Sequence, residues 1–113
     1  MITHRFVLFD DTPDFVFFLE LEIDLPALLP EGTKIHSELE FNLVIEESSF
    51  SLGTCESIPT VAWEDDDKSS HRATLLINEL INEGWKVESI HRIDDVTEMT
   101  FEEVLRIYGT LTT

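Results

Sequence analysis

The chain has 113 residues, 42% of them hydrophobic and eight of them Phe, a composition too apolar and aromatic for an acidic disordered segment and sized for one domain, residues 1–113. Its net charge of −17 disfavours direct contact with nucleic-acid phosphates or anionic membrane surfaces, and favours a basic protein partner. No apolar run reaches the ~18 residues of a membrane span, so no membrane association is expected.

The charge is unevenly placed. Residues 1–67 hold sixteen acids against two bases, Arg5 and Lys34, a net −14; residues 68–113 hold eight acids and five bases, a net −3. The acidic half is also the strand-rich half, and the second half carries the helices. The start, MITHRFVLFDD, lacks the basic and long apolar regions of a secretory leader, and Cys55 is a lone cysteine. Together they predict a cytoplasmic, reduced protein with an unpaired thiol.

Thr3–Phe9 reads as a first strand, closed by the turn residues Asp10-Asp11-Thr12-Pro13. Phe15–Leu25 then alternates strictly. Phe15, Phe17, Leu19, Leu21, Ile23 and Leu25 fall on one face, and Val16, Phe18, Glu20, Glu22 and Asp24 on the other. Pro26–Gly32 is a connection. Ile35–Ile45 predicts a third strand, with Ile35, Leu39, Phe41, Leu43 and Ile45 inside, interrupted by Ser37. His36, Glu38, Glu40, Asn42 and Val44 lie outside, followed by Glu46. Phe50 and Leu52 fall out of step with that set, which places a bulge or turn near Glu47–Ser49. Ile58–Trp63 is a fourth strand, where Pro59 marks its beginning or a sheet edge.

The run Glu64-Asp65-Asp66-Asp67 reads as a solvated, mobile loop. Ser69 or Ser70 then caps a helix whose stripe is Ala73, Leu76, Ile77, Leu80 and Ile81, and Gly84 suits its left-handed end. Lys86–Ile93 is a strand in which Val87 and Ile90 break the alternation. Thr100 and Glu103 form a capping box for a last short helix, with Met99 placed to staple against Val104 and Gly109 to end it. The order β-β-β-β-α-β-α predicts an α+β fold: a four- to five-stranded, mainly antiparallel sheet with one long and one short helix packed on one face.

Chemistry is harder to find. The four histidines, His4, His36, His71 and His91, show no ligand spacing, and His71, His91 and Asp94 or Asp95 make only a weak metal constellation. Cys55 lacks a basic neighbourhood, no G-x-S-x-G elbow or phosphate loop occurs, and Glu64–Asp67 lacks the glycine-turned form of a calcium loop. No cofactor, metal or enzymatic activity is expected.

Pairing of the second and third strands would gather Glu20, Glu22, Asp24, Glu38, Glu40 and Glu46 on one acidic face, with Asp65, Asp66 and Asp67 beside it. Alternate residues along a strand lie about 6.6–7 Å apart, a spacing suited to imitating a phosphate chain. The expected role is therefore a non-enzymatic interaction protein that binds a basic surface, with an inhibitor or regulator that mimics nucleic acid as its sharpest form. Charge serving only solvation or high-salt adaptation is the alternative, as is an assembly factor acting through apolar residues. Val16, Phe18 and Val44, apolar on the otherwise polar strand faces, mark a homodimer or partner contact or else lie beneath the last helix or residues 47–56.

Overall fold

The computed structural model describes residues 1–37 and 41–109. It is an α+β fold with one six-stranded sheet and two helices. The strands are β1 (Ile2–Asp11), β2 (Phe15–Leu25), β3 (Lys34–His36), β4 (Asn42–Ser51), β5 (Glu56–Glu64) and β6 (Lys86–Arg92), and the helices are α1 (Ser70–Asn82) and α2 (Phe101–Tyr108). Across the sheet the order is β3-β4-β5-β1-β2-β6. Every neighbouring pair is antiparallel except β1 and β5, which are parallel.

Three expectations about the strands are corrected. Residues 35–45 do not form one strand: Ile35 pairs with Leu43 and Lys34 with Val44, so the chain folds back on itself to make β3 and β4. Ser37, the residue that broke the alternation, marks the place; its N–H donates to the Phe41 carbonyl at 2.9 Å and its hydroxyl accepts from the Phe41 N–H. In addition, β2 does not adjoin β4. The strands β1 and β5 lie between them. Pro59 sits in an interior strand, not at an edge or a start. The parallel pairing runs through Thr3–Glu56 and His4–Ser57 and resumes at Val7–Thr60, and Pro59, which has no N–H to give, falls in the gap.

The bulge expected near Glu47–Ser49 lies at Glu46, and the broken alternation of Lys86–Ile93 has a structural cause. The β4–β5 register slips between Ile45 and Glu47, and the β2–β6 register slips between Phe18 and Leu19. The second slip is why Val87 and Ile90 lose step.

Both helices begin and end as their sequences dictate. The Ser69 hydroxyl accepts the Arg72 N–H, and at the far end Trp85 N–H reaches the Leu80 carbonyl and Gly84 N–H the Ile81 carbonyl. That paired closure needs a left-handed residue, supplied by Gly84 at φ +105°. Thr100 and Glu103 form the reciprocal capping box of α2, and Met99 and Val104 are both buried in the core.

Because β5 and β6 run in the same direction, α1 must carry the chain over β1 and β2, and so it covers their inner face. Phe6, Leu8, Phe15, Phe17, Leu19, Leu43, Ile45, Val61, Trp63 and Ile90 line that face and meet Ala73, Leu76, Ile77 and Leu80 from α1. Each such side chain contributes roughly 1.5–3 kcal/mol by leaving water. The short helix joins the same side, with the Tyr108 and Phe15 rings 5.4 Å apart.

A buried hydroxyl ties the β1–β2 turn to α1. Thr12 Oγ1 accepts the N–H groups of Asp14 (3.1 Å) and Phe15 (3.0 Å) and lies 3.0 Å from Ser70 Oγ, which also donates to Asp14. Thr12→Val keeps the shape and strands those donors, so a loss of about 1–3 kcal/mol is expected in urea denaturation, with the secondary-structure spectrum unchanged.

Candidate protein-binding surface

The sheet face opposite the helices carries none of the described helices, and the register fixes what it displays. One row runs across the strands through Ser89, Phe18 and Phe9, since Phe18 pairs with both Ser89 and Phe9. It continues through Ala62, one residue beyond the Leu8–Val61 pair, to Val44 and Lys34. The next row holds Lys86, Glu20, Val7, Thr60 and Glu47, each opposite the one before it. Beyond it Glu22 faces Arg5, and then Asp24 faces Thr3 and Thr3 faces Glu56. On the other side of the apolar row Val16 lies between His91 and Asp11.

The predicted site residues are thus divided. Glu20, Glu22 and Asp24 stand along β2 on this face. Glu46 is exposed at the β4 slip, with two strands between it and them. Glu38 and Glu40 lie outside the described residues. The predicted pairing of β2 with the 35–45 segment fails because alternation assigns a residue to a face and leaves the neighbouring strand open.

Asp65, Asp66 and Asp67 belong elsewhere; Asp66 and Asp67 are exposed, as expected of a solvated run, while Asp65 is half-buried. Asp65 accepts from the Asp67 N–H at 3.0 Å and pairs with Arg72 at 3.2 Å, and Asp67 accepts from the Ser69 N–H at 3.0 Å. The Arg72 guanidinium also lies 4.5 Å from the Phe41 ring centre, and Lys68 sits 5.4 Å from that of Trp63 while pairing with Asp10. A shallow hollow of about 560 Å³ lined by Asn42, Trp63, Glu64, Asp65, Asp66 and Lys68 lies here. These contacts build the lead into α1. Asp65 is thus a partner of Arg72, whereas Lys68 takes Asp10 on β1.

On the open face, charge is concentrated around a cleft of about 270 Å³ formed by Arg5, Glu20, Glu22, Gly84, Lys86 and Glu88. Arg5 pairs with Glu56 at 3.2 Å, Lys34 with Glu64 at 3.7 Å, and Asp24 accepts from the Thr3 hydroxyl at 2.8 Å. Partial burial, and then the neighbouring Glu88 carboxylate, push the Glu20 carboxyl above its ordinary range. Glu88 is a site residue that the sequence hides: the slip opposite Phe18 and Leu19 throws it onto this face out of turn. Glu56 and Glu47 were equally illegible, because their placement depends on the parallel β1–β5 pairing.

Three of the histidines lie apart in separate local contacts. His71 Nδ1 lies 2.7 Å from the Tyr108 carbonyl, His4 is fully buried with Nδ1 2.9 Å from the Ile2 carbonyl, and His91 bridges to Glu98 through the backbone. Among the described residues no group of three or more His, Cys, Asp or Glu is close enough to hold a metal ion, and no helix is long and apolar enough to cross a membrane. Cys55 is exposed in the β4–β5 turn. No protein-family model, curated protein or solved structure matches the chain. The functional reading rests on the geometry and charge of the open face.

Two titrations follow, of opposite sign. A carboxyl raised on folding favours the folded state below the carboxylate range, and that contribution is lost as pH rises through its raised pKa. Glu20→Gln is therefore expected to raise the urea midpoint slightly at pH 7, with the gain vanishing as pH falls through the carboxylate range. At Asp65, burial pushes the carboxyl up, but the Asp67 N–H and the Arg72 guanidinium outweigh it and hold it below its ordinary value. Its contribution is present at neutral pH and lost on acidification. Asp65→Asn should lower the pH 7 melting temperature, and the difference from the parent protein should close as pH falls through the carboxylate range.

Proposed function

We propose that this chain is a non-enzymatic acidic interaction protein that binds a basic protein surface through its helix-free sheet face. The observation that carries this reading is the gathering of Glu20, Glu22, Asp24, Glu47, Glu56 and Glu88 on one open surface against three bases, Arg5, Lys86 and Lys34. Carboxylates held by a sheet need little ordering when a partner arrives, which lowers the entropic cost of association. Their collective field speeds encounter with a positive surface and makes it sensitive to salt.

An inhibitor or regulator that occupies the groove of a nucleic-acid-handling protein is the sharpest form of this role. Glu20, Glu22 and Asp24 recur along β2 every second residue, about 6.6–7 Å apart. Arg5 and Lys86 interrupt the charge, so the surface fits a groove of mixed character better than a uniform phosphate track.

Proteins retained from a lysate of the source cells on the immobilised chain and eluted by a salt gradient should be basic and leave at moderate salt. The triple substitution Glu20→Gln, Glu22→Gln, Asp24→Asn should slow association with the recovered partner at least tenfold at low ionic strength, measured by surface plasmon resonance. Retention that is indifferent both to salt and to this substitution overturns the reading.

A further inference from the structure

The charges surround something that charge alone does not use. Phe18, Phe9, Ala62 and Val44 lie side by side on β2, β1, β5 and β4, on a face that no described helix covers. Phe9 is 62% exposed, and its ring meets that of Phe18 edge-on with centres 6.2 Å apart. Val7 and Val16, both half-buried, widen the row on either side. Four strands about 4.8 Å apart make this row roughly 14 Å long, close to three turns of an α-helix at ~5.4 Å each. An apolar row rimmed by polar residues marks a contact surface.

What covers it is constrained by its borders. Glu20 and Glu47 lie in the row on one side with Lys86, and Asp11 in the row on the other with His91, while Lys34 ends the apolar row beside Val44; three carboxylates thus face two lysines. A second copy of this chain would bring another −17 and set acids against acids. A neutral apolar surface would leave those carboxylates desolvated without partners.

We propose that the row is the anchor for a basic amphipathic helix of a partner protein, its apolar ridge on Phe9 and Phe18 and its Lys and Arg side chains on Glu20, Glu47 and Asp11. This rests on the reading of the open face as a surface for basic proteins, and adds that apolar anchoring selects the partner.

The test uses two fluorescein-labelled 18-residue Leu/Lys peptides of identical composition, one patterned as an amphipathic helix and one scrambled, titrated against the whole chain by anisotropy. The patterned peptide is expected to bind at least tenfold more tightly. Phe9→Ser, at an exposed position that folding tolerates, should bring it to within threefold of the scrambled one, with circular dichroism and melting temperature unchanged; Phe18→Ser should act in the same direction. Equal binding of the two peptides overturns the apolar anchor and leaves the electrostatic reading standing. Binding of neither overturns both. Concentration-dependent dimers in sedimentation equilibrium that Phe9→Ser abolishes would assign the row to a second copy and overturn the proposal.

Discussion

The architecture depends on β1 having a different kind of neighbour on each side. It pairs antiparallel with β2 along its whole length and parallel with β5, so it joins two antiparallel groups, β3-β4-β5 and β1-β2-β6, into one sheet. Without that parallel pairing there would be two three-stranded pieces, each with an inner face too small to hold a core. The pairing also sets the direction of β5, and with it the route α1 must take across β1 and β2 to reach β6.

That route makes the sheet one-sided. The inner face receives α1, and α2 folds against the same layer through Tyr108 and Phe15. The opposite face keeps its polar and charged residues, but they are not uniform: a band of Phe, Ala and Val crosses β2, β1, β5 and β4 between rows that hold Glu20 and Glu47 on one side and Asp11 on the other. Each of those four strands contributes one residue to the apolar band. The surface is therefore a property of register, assembled at right angles to the chain.

This explains how much of the molecule could be read from the sequence. The helices were legible to their caps, because Ser69, Gly84, Thr100 and Glu103 act through bonds to residues three or four positions away. The two faces of β2 were legible for the same reason of locality: alternation is a property of a single strand. The neighbours of β2 were not, since nothing in Phe15–Leu25 distinguishes β1 from β4 as a partner. Residues 35–45 misled because β3 and β4 keep the same parity across their turn, so two arms of a hairpin imitate one strand. The acidic run at 64–67 was legible as solvated, since Glu64, Asp66 and Asp67 are exposed, but composition did not show the bonds that Asp65 makes to Arg72 and Asp67 to the Ser69 N–H.

The parallel pairing of β1 with β5 has a consequence for the newly made chain. Thr3 meets Glu56 and Leu8 meets Val61, contacts between residues far apart in sequence, of the kind that slow folding. During synthesis β1 and β2 leave the ribosome first, as a hairpin whose inner face carries Phe6, Leu8, Phe17 and Leu19 with neither β5 nor α1 yet present to cover it. Such a hairpin offers an open edge and an apolar face, the two ingredients of aggregation. Asp10, Asp11, Asp14, Glu20, Glu22 and Asp24 travel with it, and their mutual repulsion keeps neighbouring nascent chains apart until the missing strand arrives. The charge concentrated in the first half of this protein thus lies on the same segment as the strand that pairs with the distant β5.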